Sequence, residues 1–586
     1  MPRFPRNEVI IIDDHDHDDR SPTPEALPEP VEAHLTYIDR QGFRIMEGTV
    51  VEINPLPLLE KFKVQFLQVQ LIRKEGEDII VRGLPFARAR QLQGMVEKKA
   101  NEVVAILNVK EDDTTEWTTQ AAVEINLHEI ICIRQLQFTN ASYPTHRYEI
   151  HTYANRQDAD DHGKLTCRWK MISSYQKKGR LHKRTLVRLR AHESDRMLSL
   201  RDDYLLHLWR GGKVKGGSYR PLTIDLTGNP APNINGRNSR YSGQKYTLAD
   251  FFCGAGGVSC GAKMAGFQPT VACDLDSNAS ASYKRNFPRT DMYNISVHDY
   301  LTEAPDYMVD VLHLSPPCQF WSPAHTREGQ NDESNRAGLY ACVPVLEKLK
   351  PRIVTVEQTF GLTHDKFQEY FNMFLHSFTM KEYSVAYKVV DLSAWGLSQK
   401  RMRLIMIASC PGERLPPFPS DDERDLPGSV TIAQALSTIG PGATLHNVDE
   451  ALARAHSNAC FPKVPYNSNT LLRHIITTGG GNYHPSGKRG FTTREYATLQ
   501  GFPSTYEFAG KAKRRQIGNA FPPTSVKVLY EHLEKWLLNE DGIKEKEVDH
   551  SGDAVMVHME DMDVDNEDED DLMVMSWRER SATLPL

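Results

Sequence analysis

Long apolar runs and paired cysteines are what this sequence lacks. No run approaches the roughly 20 apolar residues that a membrane-spanning helix needs, so we expect no membrane partner. The nine cysteines are scattered and odd in number, and none form a CxxC pair, which argues against a disulfide framework and a cysteine-rich zinc site. The N-terminus is acidic rather than basic, so we expect no secretory signal and an intracellular protein with reduced thiols.

Acidic residues are concentrated near the two ends of the chain. The formal net charge is −7, with dense acidic runs in "IDDHDHDD" and "DVDNEDEDD". Composition predicts a disordered arm at 1–35 and a disordered acidic tail at 541–586. His15 and His17 lie in the first run, but we expect no metal site there. The basic runs 177–190 and 511–515 are expected to form solvated faces or, alternatively, to contact phosphate.

The body of the chain changes pattern at residue 245. Short β-rich runs predict a β-rich module over 36–210, and Gly, Pro and Asn mark 211–244 as a linker or covering loop. From 245, apolar strand-like runs alternate with helical segments, which predicts an α/β fold with a mostly parallel, doubly wound sheet. This pattern covers 245–410 and 473–540, and the polar, Pro-rich segment 411–472 is predicted to be an inserted lobe.

A glycine-rich turn follows the first of these strands, in "DFFCGAGGVSCGAKMAGF". Gly254, Gly256 and Gly257 are expected to let the backbone approach a ligand closely. A dinucleotide fingerprint needs a further glycine at 259, where Ser259 stands, so a pyrophosphate cradle and a nicotinamide oxidoreductase are disfavoured. Asp274 closes the next strand and could accept both hydroxyls of a ribose. The pattern therefore favours a nucleoside cofactor without phosphate.

Four further residues lie at or near predicted strand ends, where ligands bind in such folds. Cys318 follows two prolines after "VDVLHLS" and is either a packing thiol or a positioned nucleophile. Glu357 ends "RIVTVEQ" and either caps a helix or has a charged partner. Arg401 and Arg403 alternate at a strand start, a spacing that places both guanidinium groups on one face. There they could hold an anion or fix a nucleophile loop.

Six motifs in this order resemble the DNA (cytosine-5) methyltransferases. They are "DFFCGAGG", "SPPCQ", "VEQT", "QKRMR", "REYATLQGFP" and "QIGNAFPP", and together they span about 245–536. The family usually has Glu-Asn-Val where this chain has Glu-Gln-Thr at 357–359. That departure is similar to the fungal branch linked to repeat-induced point mutation and de novo methylation.

The resemblance implies S-adenosyl-L-methionine as cofactor, with Phe252 near the adenine and Asp274 on the ribose. Asn294 stands where the family has an acidic residue that contacts the adenine amino group, and we expect this change to weaken cofactor binding. The other positions implied to contact the cofactor are Cys253, Gly254, Gly256, Gly257, Leu275, Ile295, Pro316, Asn519 and Ala520.

The resemblance also implies catalytic residues and partners. Cys318 would add to C6 of a flipped cytosine, Glu357 would bind its N3 edge, and Arg401 and Arg403 would support the base and the nucleophile loop. The substrate would be double-stranded DNA, read by the lobe 411–472. Residues 36–210 are similar to a bromo-adjacent-homology domain, which implies a chromatin or histone partner and a nuclear location. Two alternatives stay open: a weak or inactive chromatin-bound scaffold, because of Gln358 and Asn294, and an RNA cytosine-5 methyltransferase.

Overall fold

A computed structural model describes twelve segments of the chain. They are 36–38, 44–57, 62–143, 152–176, 179–221, 239–317, 320–321, 338–420, 425–457, 464–473, 475–476 and 483–543. The acidic arm at 1–35, the tail beyond 543, His15, His17 and Cys318 lie outside these described residues. Within them, no helix is long and apolar enough to cross a membrane, and no group of three or more metal-ligating side chains occurs.

The N-terminal module consists mainly of strands, as its alternating apolar pattern predicts. Its strands are β1 (Tyr37–Ile38), β2 (Arg44–Ile45), β3 (Val50–Pro57), β4 (Lys63–Glu75), β5 (Asp78–Arg88), β6 (Glu102–Lys110), β7 (Val123–Asn126), β8 (Ile130–Arg134), β9 (Leu136–Phe138), β10 (Leu165–Gln176) and β11 (Arg180–Arg188). Its helices are α1 (Trp117–Ala121), α2 (Arg156–His162) and α3 (Asp202–Arg210).

The second region alternates strands and helices. Its strands are β12 (Thr247–Phe251), β13 (Gln268–Cys273), β14 (Asp291–Tyr293), β15 (Val311–Leu314), β16 (Ile353–Thr359), β17 (Ser384–Asp391) and β18 (Met402–Ser409). The helices between them are α4 (Gly257–Met264), α5 (Ser277–Asn286), α6 (Val297–Glu303), α7 (Cys342–Leu349) and α8 (Gln368–Thr379). After β18 come α9 (Ile432–Leu436), α10 (Val448–Ser457), α11 (Thr493–Leu499), α12 (Lys513–Asn519) and α13 (Pro523–Asp541).

The seven strands of the second region form the order β14-β13-β12-β15-β16-β18-β17. All neighbouring pairs are parallel except those of β18, which runs antiparallel to both β16 and β17. The predicted mostly parallel, doubly wound α/β sheet is therefore confirmed. The predicted runs "VDVLHLS" and "RIVTVEQ" contain β15 and β16, whereas the short β14 was not predicted.

Alternate residues of the central strands enter two separate cores. Phe251 and Val356 belong to the core that includes buried side chains of α6, α7 and α8. Leu248 and Ile353 belong to the core formed with α4 and α13. Because side chains of a strand alternate between its faces, this division shows that helices cover both faces of the sheet.

The module sheet and the α/β sheet are one continuous sheet, joined by β11 and β17. Those strands pair antiparallel, with Arg184 opposite Tyr387 and Leu186 opposite Val385. Residues 180–188 of the basic run therefore form this joint rather than only a solvated face or a phosphate contact. Arg184 and Arg188 are both buried within it.

Four charged side chains lie buried or partly buried at this joint. Arg168 pairs with Glu102 (Nε to Oε1, 2.7 Å) and with Glu382 (Nη1 to Oε1, 3.0 Å). Arg188 pairs with the same Glu382 oxygen at 3.1 Å. Within the basic run, Arg188 is thus paired with a carboxylate located about 200 residues away.

The described parts of 211–244 lie on the α/β region. Ser218 donates from its backbone N–H (2.7 Å) and its hydroxyl (2.8 Å) to the carboxylate of Asp310, just before β15. The start of the predicted tail also differs from the expectation. Asp541 is the last residue of α13, fully buried, and it pairs with Arg352 (Oδ1 to Nη2, 2.8 Å).

Candidate active site

Four parallel strands bring the predicted site residues to one edge of the sheet. β13, β12, β15 and β16 are neighbours in that order and run in the same direction. The segments that follow them therefore meet at their shared carboxyl-terminal edge. Those segments contain the glycine-rich turn, Asp274 and the Pro316–Pro317 turn, and Glu357 lies near the carboxyl end of β16 itself.

The three glycines of the turn serve different purposes. Gly254 has φ +54°, and a Cβ added there would meet no atom within 4 Å. A Cβ at Gly256 would lie 2.8 Å from the Phe287 ring and from the Tyr506 hydroxyl, and one at Gly257 would lie 2.4 Å from the Phe521 carbonyl oxygen. Only Gly254 thus leaves open space for a ligand, while Gly256 and Gly257 let protein atoms pack closely. That all three glycines let the backbone approach a ligand stays a prediction.

Asp274 lies beside the open position at Gly254. Its Oδ2 accepts a hydrogen bond from the Gly254 N–H (2.7 Å) and its Oδ1 accepts one from the Asp276 N–H (2.8 Å). Burial raises the pKa of Asp274, although these backbone donors and the charge of Arg515 oppose the rise. Each carboxylate oxygen keeps a lone pair that a ligand hydroxyl could use.

The neighbouring predicted contacts differ in exposure. Phe252 has φ +57°, a rare conformation for a non-glycine residue and one found where surroundings hold a site in place. Cys253 is buried, Ile295 is partly buried, and the Leu275 side chain is 72% exposed. Asn294 donates from Nδ2 to the Asp274 backbone oxygen (2.9 Å). In this structure its side chain therefore orders the loop that carries Asp274.

Asp250 is a buried carboxylate below the turn that sequence reasoning did not single out. Its Oδ2 accepts hydrogen bonds from the N–H (3.1 Å) and the hydroxyl (2.7 Å) of Ser259, whose hydroxyl also bonds to Tyr283 (2.6 Å). Burial raises the pKa of Asp250 to about 7. Ser259, which excluded the dinucleotide fingerprint, thus ties α4 to β12. The sequence signal that could have identified Asp250 was a carboxylate within a buried strand.

Glu357 and Arg403 form a buried ion pair at the end of β16. Arg403 Nε lies 2.6 Å from Glu357 Oε1, and both side chains are about 90% buried (10% and 11% exposed). The pair spans adjacent strands, because Thr359 lies opposite Arg403 in the antiparallel register of β16 and β18. Glu357 thus has a charged partner, and the helix-cap alternative is not what the structure shows.

Arg401 and Arg403 have different partners. Arg401 precedes β18 and donates from Nη1 to the Ile476 carbonyl oxygen (3.4 Å) and from Nη2 to that of Gly518 (3.2 Å). It therefore links the segment after the inserted lobe to α12. That the two arginines hold an anion or fix the nucleophile loop stays a prediction.

Gln358 holds the turn that precedes Cys318. Its side chain is fully buried, donates from Nε2 to the Pro316 carbonyl oxygen (2.9 Å) and accepts from the Thr359 N–H (2.8 Å). A buried amide with both ends bonded fixes two backbone segments relative to each other. Pro316, predicted as a cofactor contact, is therefore anchored from the strand that carries Glu357.

Ala520 and Asn519, at the end of α12, lie at the glycine-rich turn. The Ala520 Cβ is 3.2 Å from the position of a Cβ on Gly257, and its carbonyl oxygen accepts from Gln500 Nε2 (2.9 Å). Asn519 is exposed. The structure thus places both residues beside the glycine-rich turn, and Cys318 alone among the predicted residues lies outside the described part of the chain.

Residues 246–438 and 447–535 match the family model for C-5 cytosine-specific DNA methylases. This α/β region belongs to the C-5 cytosine-specific DNA methylase family. The match covers the glycine-rich turn, Asp274 and the Glu357–Arg403 pair, and both of its ends agree with the span that the six motifs indicated.

Several known methylases are similar to the chain. The type II methyltransferase M.Sau96I of Staphylococcus aureus is 26% identical over 332 residues, which cover 50% of this chain and 76% of the relative. M.AplI of Arthrospira platensis is 28% identical over 317 residues, covering 50% and 86%. The crystal structure of the S. pombe Dnmt2 methyltransferase covers 51% of this chain and 99% of that one, with 15% identity and a TM-score of 0.36.

Membership of this methylase family implies S-adenosyl-L-methionine as the methyl donor, and the residues present fit it. This edge of the sheet offers open space at Gly254, the Asp274 carboxylate for ribose hydroxyls and the exposed Leu275 side chain for an apolar surface. The Asp274 carboxylate beside the turn suits a nucleoside cofactor that has no phosphate. Asp274, Leu275 and the turn from Phe252 to Gly254 would hold the donor.

Proposed function

We propose that this protein is a DNA (cytosine-5)-methyltransferase that acts on a cytosine flipped out of double-stranded DNA through a covalent Cys318 adduct. The observation that carries this proposal is the buried Glu357–Arg403 pair, 2.6 Å apart, beside the Gln358-anchored turn that leads into Cys318. The residues that would hold the cofactor, Asp274 among them, lie at neighbouring strand ends of the same sheet.

The chemistry follows from the reactivity of cytosine, whose C5 is a poor nucleophile. Addition of the Cys318 thiolate to C6 makes C5 electron-rich enough to take up a methyl group. The bound cofactor supplies that methyl group from its sulfonium. Glu357 would bond the N3 edge of the base as charge develops there, with Arg403 keeping its carboxylate in place. Loss of the C5 proton and of the thiolate then restores the aromatic ring and the enzyme.

The Glu-Gln-Thr sequence is compatible with an active site. Gln358 has one methylene more than Asn, yet Glu357 is paired with Arg403 and Gln358 satisfies both ends of its amide. Gln358 was one reason to consider a weak or inactive chromatin-bound scaffold. The hydrogen bonds of its amide weaken that reason. The exposed Asn294, which lacks the charge of an acidic residue, remains the support for the scaffold alternative.

A role in de novo methylation or silencing of repeated DNA is part of the proposal, with a nuclear location and a chromatin or histone partner for the N-terminal module. Its support is the Glu-Gln-Thr motif, which resembles the fungal branch linked to repeat-induced point mutation. A second support is that the module is a continuous extension of the α/β sheet, so a ligand on the module would lie on the same rigid sheet as the active site.

Methyl transfer to defined nucleic acids tests the activity. The full chain and its Cys318→Ser variant are incubated with labelled S-adenosyl-L-methionine and an unmethylated duplex, a hemimethylated duplex or an RNA. We expect label on the unmethylated duplex with wild type and none with Cys318→Ser. A matched Cys132→Ser variant, which changes an exposed cysteine on β8, should keep wild-type activity. Label on RNA alone would favour the RNA alternative, and no label anywhere, with no trapping by a 5-fluorocytosine duplex, would refute the proposal.

A further inference from the structure

A buried histidine lies beneath the turn that leads into Cys318. His313 is on β15 and fully buried, yet both of its ring nitrogens are bonded: Nδ1 to Thr355 Oγ1 (2.8 Å) and Nε2 to Ser315 Oγ (2.7 Å). Thr355 Oγ1 bonds in turn to the hydroxyl of Tyr530 on α13 (2.8 Å). Four side chains thus form one hydrogen-bonded chain from a helix, across the sheet, to the turn.

The direction of this chain follows from the need to satisfy buried donors. Among the described residues, the Tyr530 hydroxyl bonds only to Thr355, so its proton would lack an acceptor if Thr355 were the donor. A buried unsatisfied donor costs about 1–3 kcal/mol. Tyr530 therefore donates to Thr355, Thr355 donates to Nδ1 of His313, and the Nε2–H of His313 donates to Ser315. Burial lowers the pKa of His313 to about 3, which keeps the imidazole ring neutral.

We propose that His313 is a positioning residue, which holds the hydroxyl of Ser315 and thereby sets the backbone path from Ser315 to Pro317 into Cys318. This inference rests on the proposed methyl transfer through Cys318 and deepens it, because it names what fixes the turn. Neither His313 nor Ser315 belongs to the glycine-rich turn or to the Glu357–Arg403 pair.

Three neighbouring strands hold successive residues of the turn. From β15, His313 bonds the Ser315 hydroxyl. The Ser315 N–H donates to the carbonyl oxygen of Phe251 on β12 (3.2 Å). From β16, Gln358 bonds the Pro316 carbonyl oxygen (2.9 Å). Because proline fixes φ at Pro316 and Pro317, these bonds leave the turn few remaining degrees of freedom. A nucleophile delivered by this turn needs such rigidity, since a displacement of about 1 Å can cost ~100-fold in rate.

The test removes one oxygen atom from the turn. Ser315 is only partly buried, so Ser315→Ala should fold, and Ser315→Thr keeps the hydroxyl. We expect Ser315→Ala to lower kcat about 10-fold or more while KM for S-adenosyl-L-methionine stays within ~2-fold, and Ser315→Thr to recover most of the loss. The matched control is Ser409→Ala, a buried serine at the far end of β18 whose hydroxyl has no hydrogen-bond partner among the described residues. It should keep wild-type kcat.

A second readout needs no methyl transfer. Alkylation of Cys318 by iodoacetamide, followed by peptide mass spectrometry, should be faster in Ser315→Ala than in wild type, while the exposed Cys132 reacts at an unchanged rate. Wild type that methylates no duplex would refute the proposed function, and the alkylation rates would still test the turn. Equal kcat and equal Cys318 alkylation in wild type and Ser315→Ala would overturn the role of His313. So would an equal loss of activity in Ser409→Ala.

Discussion

Neutralising Glu382 should loosen the joint between the N-terminal module and the α/β region. The Glu382 carboxylate is the partner of two buried arginines, Arg168 at 3.0 Å and Arg188 at 3.1 Å. Arg168 has a second carboxylate in Glu102, whereas Arg188 otherwise donates to backbone carbonyls, that of Asn140 among them (2.6 Å). In Glu382→Gln, Arg188 therefore becomes a buried charge without a counter-charge.

The size of the effect follows from this loss. Removing one partner of a buried ion pair typically costs 3–5 kcal/mol. The glutamine oxygen can still accept a hydrogen bond, so we expect a loss of about 3 kcal/mol in the local free energy of opening. Amide hydrogen exchange in β11 and β17 should then be about 100-fold faster, because each 1.4 kcal/mol is a factor of ten.

Hydrogen exchange measured by mass spectrometry on peptides that cover 180–188 and 384–391 checks this prediction. Replacing both partners, as in Glu382→Leu with Arg188→Met, should recover more than half of the protection, since it leaves no unpaired charge. The control is Glu507→Gln, which removes an exposed pair with Arg285 (3.4 Å, both side chains 59% exposed) and should cost less than about 1 kcal/mol. Unchanged exchange in Glu382→Gln, or no recovery in the double variant, would refute this reasoning.

Three further results are expected. The Arg188 and Arg168 charges hold the pKa of Glu382 below its usual value, although burial alone would raise that pKa. The stability that the Glu382 carboxylate contributes is therefore present above pH ~4.3 and is lost as pH falls through the folded pKa. In urea titrations between about pH 5 and 3, wild type should therefore lose more free energy of unfolding than Glu382→Gln, and parallel losses would contradict this. Gln358→Asn shortens the amide by one methylene and should break its bond to Pro316, lowering kcat about 10-fold in methyl-transfer assays; an unchanged or higher kcat would show that the bond does not position the turn. Asp274→Asn should weaken S-adenosyl-L-methionine binding in calorimetry by about 10-fold or more, as expected for a hydrogen bond to a charged group, and equal affinity would remove Asp274 from the pocket.

The α/β fold could be predicted from the sequence because the strands of this region have a distinctive local pattern. All five residues of β12 and all seven of β16 are buried, and such apolar runs separated by helical segments predict a parallel sheet. β11 was missed for the opposite reason. Its sequence "RLHKRTLVR" is strongly basic, and the buried position of Arg188 depends on Glu382, which no local pattern reveals.

The candidate site was predictable to a similar degree. The sequence singled out Asp274 and Glu357 because strand ends and their polar residues are local features. The partners of these residues were not predictable: Arg403 rather than Arg401 pairs with Glu357, and Gln358 reaches Pro316 across 42 positions. Strand register and side-chain direction decide such contacts, and both are set by the tertiary fold.

The pairing of β11 with β17 has a consequence for any shortened form of this protein. A fragment that begins at residue 245, where the methylase motifs begin, would leave β17 as an open edge with unpaired backbone N–H and C=O groups along Ser384–Asp391. Such an exposed apolar edge invites pairing with other copies of the fragment. The N-terminal module thus covers the β17 edge of the methylase sheet. Fragments intended for expression should therefore retain residues 180–188.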